Sequence, residues 1–251
     1  SATGDEARRW LEGADREITN LIDRGVLQLV KWSDLDNLQK GTYEVIPSIV
    51  VWSQKSDPEK TCKARLVACG NFQSSEPGKG VSGNYAGTAS LLAWRTCVVL
   101  FCQGRGSCGC LDVREAFTQT DDVAASSRNK RIYLRLPSQW KKKLLPHALF
   151  AKGVTHDTFD EFLLKVLKSI YGQGDAPLLW KQTLERVLEK MGFQPCPLEE
   201  GVYFRNKDGV LDVISTYVDD VWVFSLSETN MVEILAAISE NLSCTLAEIL
   251  C

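Results

Sequence analysis

Apolar positions along this chain switch between helical and alternating spacing, and each switch marks an element. Leu11, Ala14, Ile18, Leu21 and Ile22 fall on one helix face, with Gly25 placed to end the helix. Residues 43–52 are strand-like, 56–60 read as a turn, and 61–69 return as a second strand to make a hairpin. On that returning strand, alternation sets Lys63 and Arg65 on one face and Ala64 and Leu66 on the other. Residues 72–87, rich in Gly, Ser and Pro, read as a loop, and 89–103 predict a mostly apolar helix stopped by Gly104 and Gly106. A short buried strand is expected over 108–113, a helical turn over 114–119 and a strand over 132–136, whereas 163–170 fit either strand or helix. After Pro177, the residues Trp180, Leu184, Val187, Leu188 and Met191 trace an amphipathic helix that ends at Gly192. Strands follow over 202–204 and 210–218, and a helix-like segment over 228–242. Helices and antiparallel strands mix without regular βαβ alternation, so the fold class is α+β.

The 251 residues are enough to bury a substantial core, and 44% apolar with 24% charged residues is ordinary for a globular protein. A net charge of −3 gives no global steering toward nucleic acid, so any polyanion must be met by local patches. The candidates are Lys60, Lys63 and Arg65; Arg128, Lys130 and Arg131; and Lys141, Lys142 and Lys143, each of which taken alone reads as solvated surface. Nine cysteines without a CxxC pair, and two distant histidines, argue against a structural zinc site and for a reducing, intracellular setting. The longest apolar stretch, 91–102, contains Arg95 and is too short to span a bilayer, so no membrane partner is expected.

One pattern carries chemistry. In the run from Val213 to Phe224, Asp219 and Asp220 sit between two apolar, β-branched stretches, the signature of a β-hairpin with an acidic turn. Adjacent anions repel, and a divalent cation converts that repulsion into attraction, because Mg²⁺ binds through carboxylates and substrate phosphates. Asp112 ends the strand before it, and beside the hairpin it completes a cluster of three carboxylates suited to two-metal phosphoryl chemistry. Each residue also has a plainer role: the pair as a solvated Asp turn, and Asp112 as the N-cap of the next helix.

The order of blocks then resembles a known family. Lys63-Ala64-Arg65-Leu66-Val67-Ala68-Cys69-Gly70, Leu111-Asp112-Val113-Arg114-Glu115-Ala116-Phe117, Ile132-Tyr133-Leu134, Ser169-Ile170-Tyr171-Gly172 with Ala176, Pro177 and Trp180, Gly192-Phe193, Val202-Tyr203-Phe204 and Tyr217-Val218-Asp219-Asp220 follow one another as in copia-type long-terminal-repeat retrotransposon reverse transcriptases. The similarity runs from Trp10 to Ser225. It implies an RNA-directed DNA polymerase with a right-hand fold of fingers and palm, the thumb truncated or absent. The implied divisions are an N-terminal helix and fingers hairpin (1–86), palm (87–118), a fingers insertion (119–160), palm again (161–226) and a truncated C-terminal segment (227–251). Asp112, Asp219 and Asp220 match the family's metal ligands, for Mg²⁺ or Mn²⁺, and the Val113 carbonyl would complete one site. Phe117 matches the aromatic gate that excludes a ribose 2′-hydroxyl. Lys63 and Arg65 match the strand that meets the incoming triphosphate, and Tyr217 and Val218 lie at the primer terminus. Trp180 and Tyr171 are expected to be packing residues of the palm core. Implied partners are dNTPs, a primed RNA or DNA template, and the ribonuclease H and integrase parts of the same polyprotein. The implied location is intracellular, in a cytoplasmic virus-like particle or the nucleus.

The chain departs from the pattern at Gly172-Gln173-Gly174-Asp175, where related sequences read Gly-Leu-Lys-Gln. Asp175 takes the position of a nucleotide-contacting Gln, and Gln173 is the nearest substitute; Thr120 replaces a customary Gly. The sequence ends where a thumb and ribonuclease H would follow, so it reads as a polyprotein fragment or a decayed genomic copy. A non-catalytic remnant, or a module that only binds nucleic acid, is therefore the competing expectation. Another two-metal nucleotidyltransferase, such as an RNA-templated RNA polymerase, is disfavoured by Phe117.

Overall fold

A computed structural model describes residues 4–54, 56, 61–73, 86–120, 130–142 and 145–250. The chain divides into two compact units, Ser1–Asn84 with Thr120–Ala176, and Tyr85–Gln119 with Pro177–Cys251. Residues 161–176 thus cluster with the first unit and residues 227–251 with the second.

The first unit begins with α1 (Gly4–Asp23), which buries Ala14, Ile18 and Leu21, the face set by their helical spacing. Gly25, at φ 63°, ends it as expected: the Val26 and Gly25 amides donate to the Leu21 and Ile22 carbonyls, both at 2.9 Å. Strands β1 (Leu27–Lys31), β2 (Tyr43–Ile46), β6 (Arg131–Arg135) and β7 (Phe162–Val166) form a sheet in the order β1-β7-β6-β2. β3 (Ser48–Gln54) and β4 (Cys62–Ala68) make a separate antiparallel hairpin. The single strand expected over 43–52 is therefore two strands in two sheets. Pro47 separates them, because it has no N–H to give a ladder. The expected turn at 56–60 and most of the loop at 72–87 lie outside the described residues. Of residues 163–170, the stretch 163–166 is strand, the end of β7, with Leu163 and Leu164 buried on opposite faces of the sheet, while 167–170 form neither strand nor helix. Two short helices, α3 (Ser138–Lys142) and α4 (His147–Phe150), carry no periodic signal in the sequence.

In the second unit, β5 (Ser107–Val113), β8 (Gln194–Pro195), β9 (Val202–Lys207), β10 (Val210–Tyr217), β11 (Asp220–Ser225) and β12 (Cys244–Leu250) form one antiparallel sheet, ordered β12-β5-β11-β10-β9-β8. Helices α5 (Ala176–Lys190) and α6 (Glu228–Asn241) bury Leu184, Leu188, Ile234 and Ile238 against one face, with Val113, Ile214 and Val221. Helix α2 (Leu91–Gln103) covers part of the other face through Cys97 and Phe101, against Val213 and Phe224. β12 was not legible in the sequence, because only pairing with β5 makes Cys244–Leu250 a strand.

A charged clasp braces the α5/α6 side of this sheet. Asp212, fully buried, accepts from Arg205 Nε at 3.1 Å, from its Nη2 at 2.8 Å and from Ser225 Oγ at 2.6 Å. Arg205 also donates to the Met191 carbonyl at 3.0 Å and lies 4.7 Å over the Phe193 ring. Ser225 Oγ in turn accepts from the amide of Ser227, the N-cap of α6. Removing one partner of such a pair leaves a buried charge uncompensated. Asp212→Ala is expected to destabilise the fold by about 3–5 kcal/mol in urea unfolding. A loss below about 1 kcal/mol would show that the clasp is not needed.

Candidate active site

The apolar runs of β10 and β11 pair so that Tyr217 and Asp220 close the hairpin, leaving Val218 and Asp219 as a two-residue turn. Only Val218 of these two has positive φ, 56°, the pattern of a turn that prefers glycine at its first central position. A β-branched residue there costs about 1–3 kcal/mol and persists only where its surroundings hold it. The turn is held at both carbonyls. Trp180 Nε1 donates to Val218 O at 2.7 Å, and the Val113 amide donates to Asp219 O at 2.8 Å.

On the other side of the hairpin, β11 pairs with β5, and Asp220 stands directly opposite Asp112. Directly opposed residues have Cβ atoms about 4.5–5.5 Å apart. Alternation puts this pair on the face that carries Cys110 with Trp222 and Cys108 with Phe224. Helix α2 covers those inner pairs, with Trp94 5.3 Å from Trp222 and Phe101 5.6 Å from Phe224. The acids lie one step beyond, where Asp112 is exposed and Asp219 and Asp220 are half-buried. Burial pushes the Asp220 carboxyl up from its ordinary value, and the charges of Asp219 and Asp112 push it further. Beside them, burial and then Asp112 raise the Cys244 thiol to about 11, against a smaller opposing effect of Arg114.

Of the three acids expected to act together, Asp112 and Asp220 thus stand opposite each other through strand register, and Asp219 lies in the adjoining turn. Among the described residues, however, no three His, Cys, Asp or Glu side chains converge as a preformed metal centre. The donor set still fits hard divalent cations: carboxylates only, two of the three half-buried, and mutually repulsive. Val113 is fully buried and binds the turn through its N–H. Phe117 is half-buried in the short turn Ala116–Gln119 and packs against the α5/α6 core. Tyr217 and Val218 are 61% and 37% exposed.

The remaining candidates belong to the first unit. β4 alternates as expected, with Cys62, Ala64, Leu66 and Ala68 buried, Lys63 half-buried and Arg65 exposed. The Arg65 guanidinium lies 5.0 Å over the Tyr171 ring, so Tyr171 does more than pack. The chain after β4 runs against 171–174: Ala68 N donates to Tyr171 O at 2.8 Å and Gly70 N to Gly172 O at 3.0 Å. A Cβ on Gly172, at φ 80°, would stand 2.1 Å from Ala68 O, so both motif glycines are sites of backbone contact. Gln173, the expected stand-in for a nucleotide contact, is 3% exposed, and its Oε1 accepts from the Ile170 amide at 3.3 Å. As placed, it braces its own turn. Asp175 is also buried, at 4% exposure, rather than turned to solvent. Of the basic patches, Lys130 pairs with Glu44 at 3.1 Å and Lys141 with Asp160, while Lys60, Arg128 and Lys143 lie outside the described residues.

Residues 32–245 match the model of the family described as reverse transcriptase (RNA-dependent DNA polymerase). The chain belongs to this reverse transcriptase family. It is also similar, at 32% identity over 71 residues, to the Saccharomyces cerevisiae protein named "Putative transposon Ty5-1 protein". That match covers 28% of this chain and 23% of the relative's length. The resemblance to retrotransposon reverse transcriptases drawn from the motif order is borne out by these two matches. Among the described residues of this reverse transcriptase chain, no helix is long and apolar enough to cross a membrane.

The raised carboxyl has a consequence for stability. Asp220 takes up its proton more readily folded than unfolded, so its charge weakens the fold at neutral pH; the cost disappears in acid, where it is protonated in both states. Asp220→Asn is therefore expected to raise the melting temperature of the metal-free protein at pH 7, with the gain closing as the pH falls below about 4. A variant that melts lower than wild type at pH 7 would contradict the electrostatics of the acid pair.

Proposed function

We propose that this chain is the polymerase part of a copia-type retrotransposon reverse transcriptase, adding dNTPs to a primer 3′-hydroxyl on an RNA or DNA template. The observation that carries this reading is the register that sets Asp220 opposite Asp112 at the uncovered end of the sheet, with Asp219 in the adjoining turn. The membership in the reverse transcriptase family supports it. In this reading residues 1–86 and 119–160 serve as fingers, and 87–118 and 161–226 as palm. Divalent cations, Mg²⁺ or Mn²⁺, held by Asp112, Asp219, Asp220 and the Val113 carbonyl, would activate the hydroxyl and neutralise charge on the departing pyrophosphate.

The protein's own contribution is binding and exclusion. Lys63 and Arg65, on the solvent side of β4, meet the triphosphate. Phe117 limits space beneath the sugar, so a 2′-hydroxyl does not fit. Tyr217 and Val218, exposed at the hairpin tip, flank the primer end. Gln173 is the weakest member of the nucleotide-binding set, because its amide oxygen is already engaged. An intracellular location, in a cytoplasmic particle or the nucleus, and association with ribonuclease H and integrase segments belong to the same proposal.

A second reading, a non-catalytic remnant or a module that only binds nucleic acid, draws on the acids' lack of a converged centre and on the buried Gln173. Primer extension on a homopolymer template with Mg²⁺ or Mn²⁺ separates the two. The polymerase reading expects dNTP incorporation that Asp219→Asn or Asp220→Asn reduces to background, and extension that survives both substitutions rules it out. Phe117→Ala is expected to relax discrimination against ribonucleotides by roughly one to two orders of magnitude, measured as the ratio of kcat/KM values for the two sugars.

A further inference from the structure

We propose that Trp180 is a positioning residue for the acidic turn: its indole N–H, bonded to the carbonyl of the left-handed Val218, fixes the orientation in which Asp219 and Asp220 are presented. The inference rests on the reading of those acids as the metal-binding set. Trp180 sits on α5 with its ring buried in the core beneath the sheet, 4% exposed. Packing therefore sets the indole independently of the turn. Its bond to Val218 O, at 2.7 Å, meets the one residue of the hairpin in an unfavourable backbone region. From the opposite side the Val113 amide holds Asp219 O at 2.8 Å. Both carbonyls of the turn are thus gripped, one by a helix and one by the strand that carries Asp112. A turn so held does not have to reorganise when it gathers cations, and groups that orient ligands in this way govern affinity.

Trp180→Phe keeps an aromatic ring in the core and removes the N–H together with part of the indole's volume. The test uses Mn²⁺ titration by electron paramagnetic resonance, without primer or nucleotide, together with amide hydrogen exchange. Trp180→Phe is expected to weaken Mn²⁺ binding about tenfold to hundredfold, and to speed exchange of the Val113 amide. Exchange around the distant Asp212 clasp should stay unchanged. Adding Val218→Gly, which accepts the left-handed turn without help, is expected to restore Mn²⁺ affinity. Unchanged Mn²⁺ affinity with unchanged Val113 exchange overturns the proposal, as does a general loosening that Val218→Gly does not repair. Should the Phe variant not fold, the wild-type protein decides. Exchange of the Trp180 indole proton in step with the Val113 amide supports the coupling, and independent exchange refutes it. Asp220→Asn tests the underlying reading separately: wild-type Mn²⁺ affinity untouched by that substitution sinks the acid site, while the exchange result still decides the role of Trp180.

Discussion

The antiparallel register between β5 and β11 is the constraint on which the acidic cluster depends. Asp112 and Asp220 face each other because Leu111 meets Val221 and Cys110 meets Trp222. Side chains alternate with a period of two, so a slip of one residue would turn Asp220 into the apolar layer under α5 and α6 and expose Val221. Burying an unpaired carboxylate there is far more costly than any single contact in the strand is worth. The two cores on either side of the sheet thus enforce the meeting of the acids, although neither core contains them.

What leaves the acids accessible is the reach of α2. The helix covers the sheet through Trp94 and Phe101 and leaves the register step at Asp112 and Asp220 open. The outcome is an electrostatic strain that the fold tolerates: a carboxyl raised by burial and by two like charges. A left-handed valine in the adjoining turn adds a second strain, and both are concentrated within three consecutive residues. Strain gathered at one point on an otherwise well-paired sheet is the usual mark of a functional position.

The first unit shows the same economy in its backbone. Gly70 and Gly172 let the end of β4 lie against the 171–174 turn at hydrogen-bond distance, and the same approach brings the Tyr171 ring under Arg65. Two blocks far apart in the chain therefore form one local assembly, and the basic side chain is held by an aromatic face instead of swinging free. Gln173 and Asp175 are buried in that turn.

Much of this was legible in the residues themselves. The helical face of α1, the outward basic stripe of β4, the acidic hairpin and the helix from Ala176 to Lys190 all follow from periodicity and turn chemistry, which are local properties. The roles of Trp180 and Tyr171 were not: both read as packing residues, and their second bonds depend on partners thirty-eight residues away for Trp180 and on the neighbouring strand for Tyr171. The Arg205–Asp212 pair carried no signal, since a charge inside an apolar strand announces neither burial nor partner. The break at Pro47 and the strand Cys244–Leu250 also escaped, because sheet membership is settled by what lies alongside. Sequence alone therefore determined where the acidic, basic and aromatic residues fall along the chain and which face of each element they occupy. Only the tertiary structure decided which of them meet, because register, burial and the grip on a strained turn arise between segments that the chain itself keeps apart.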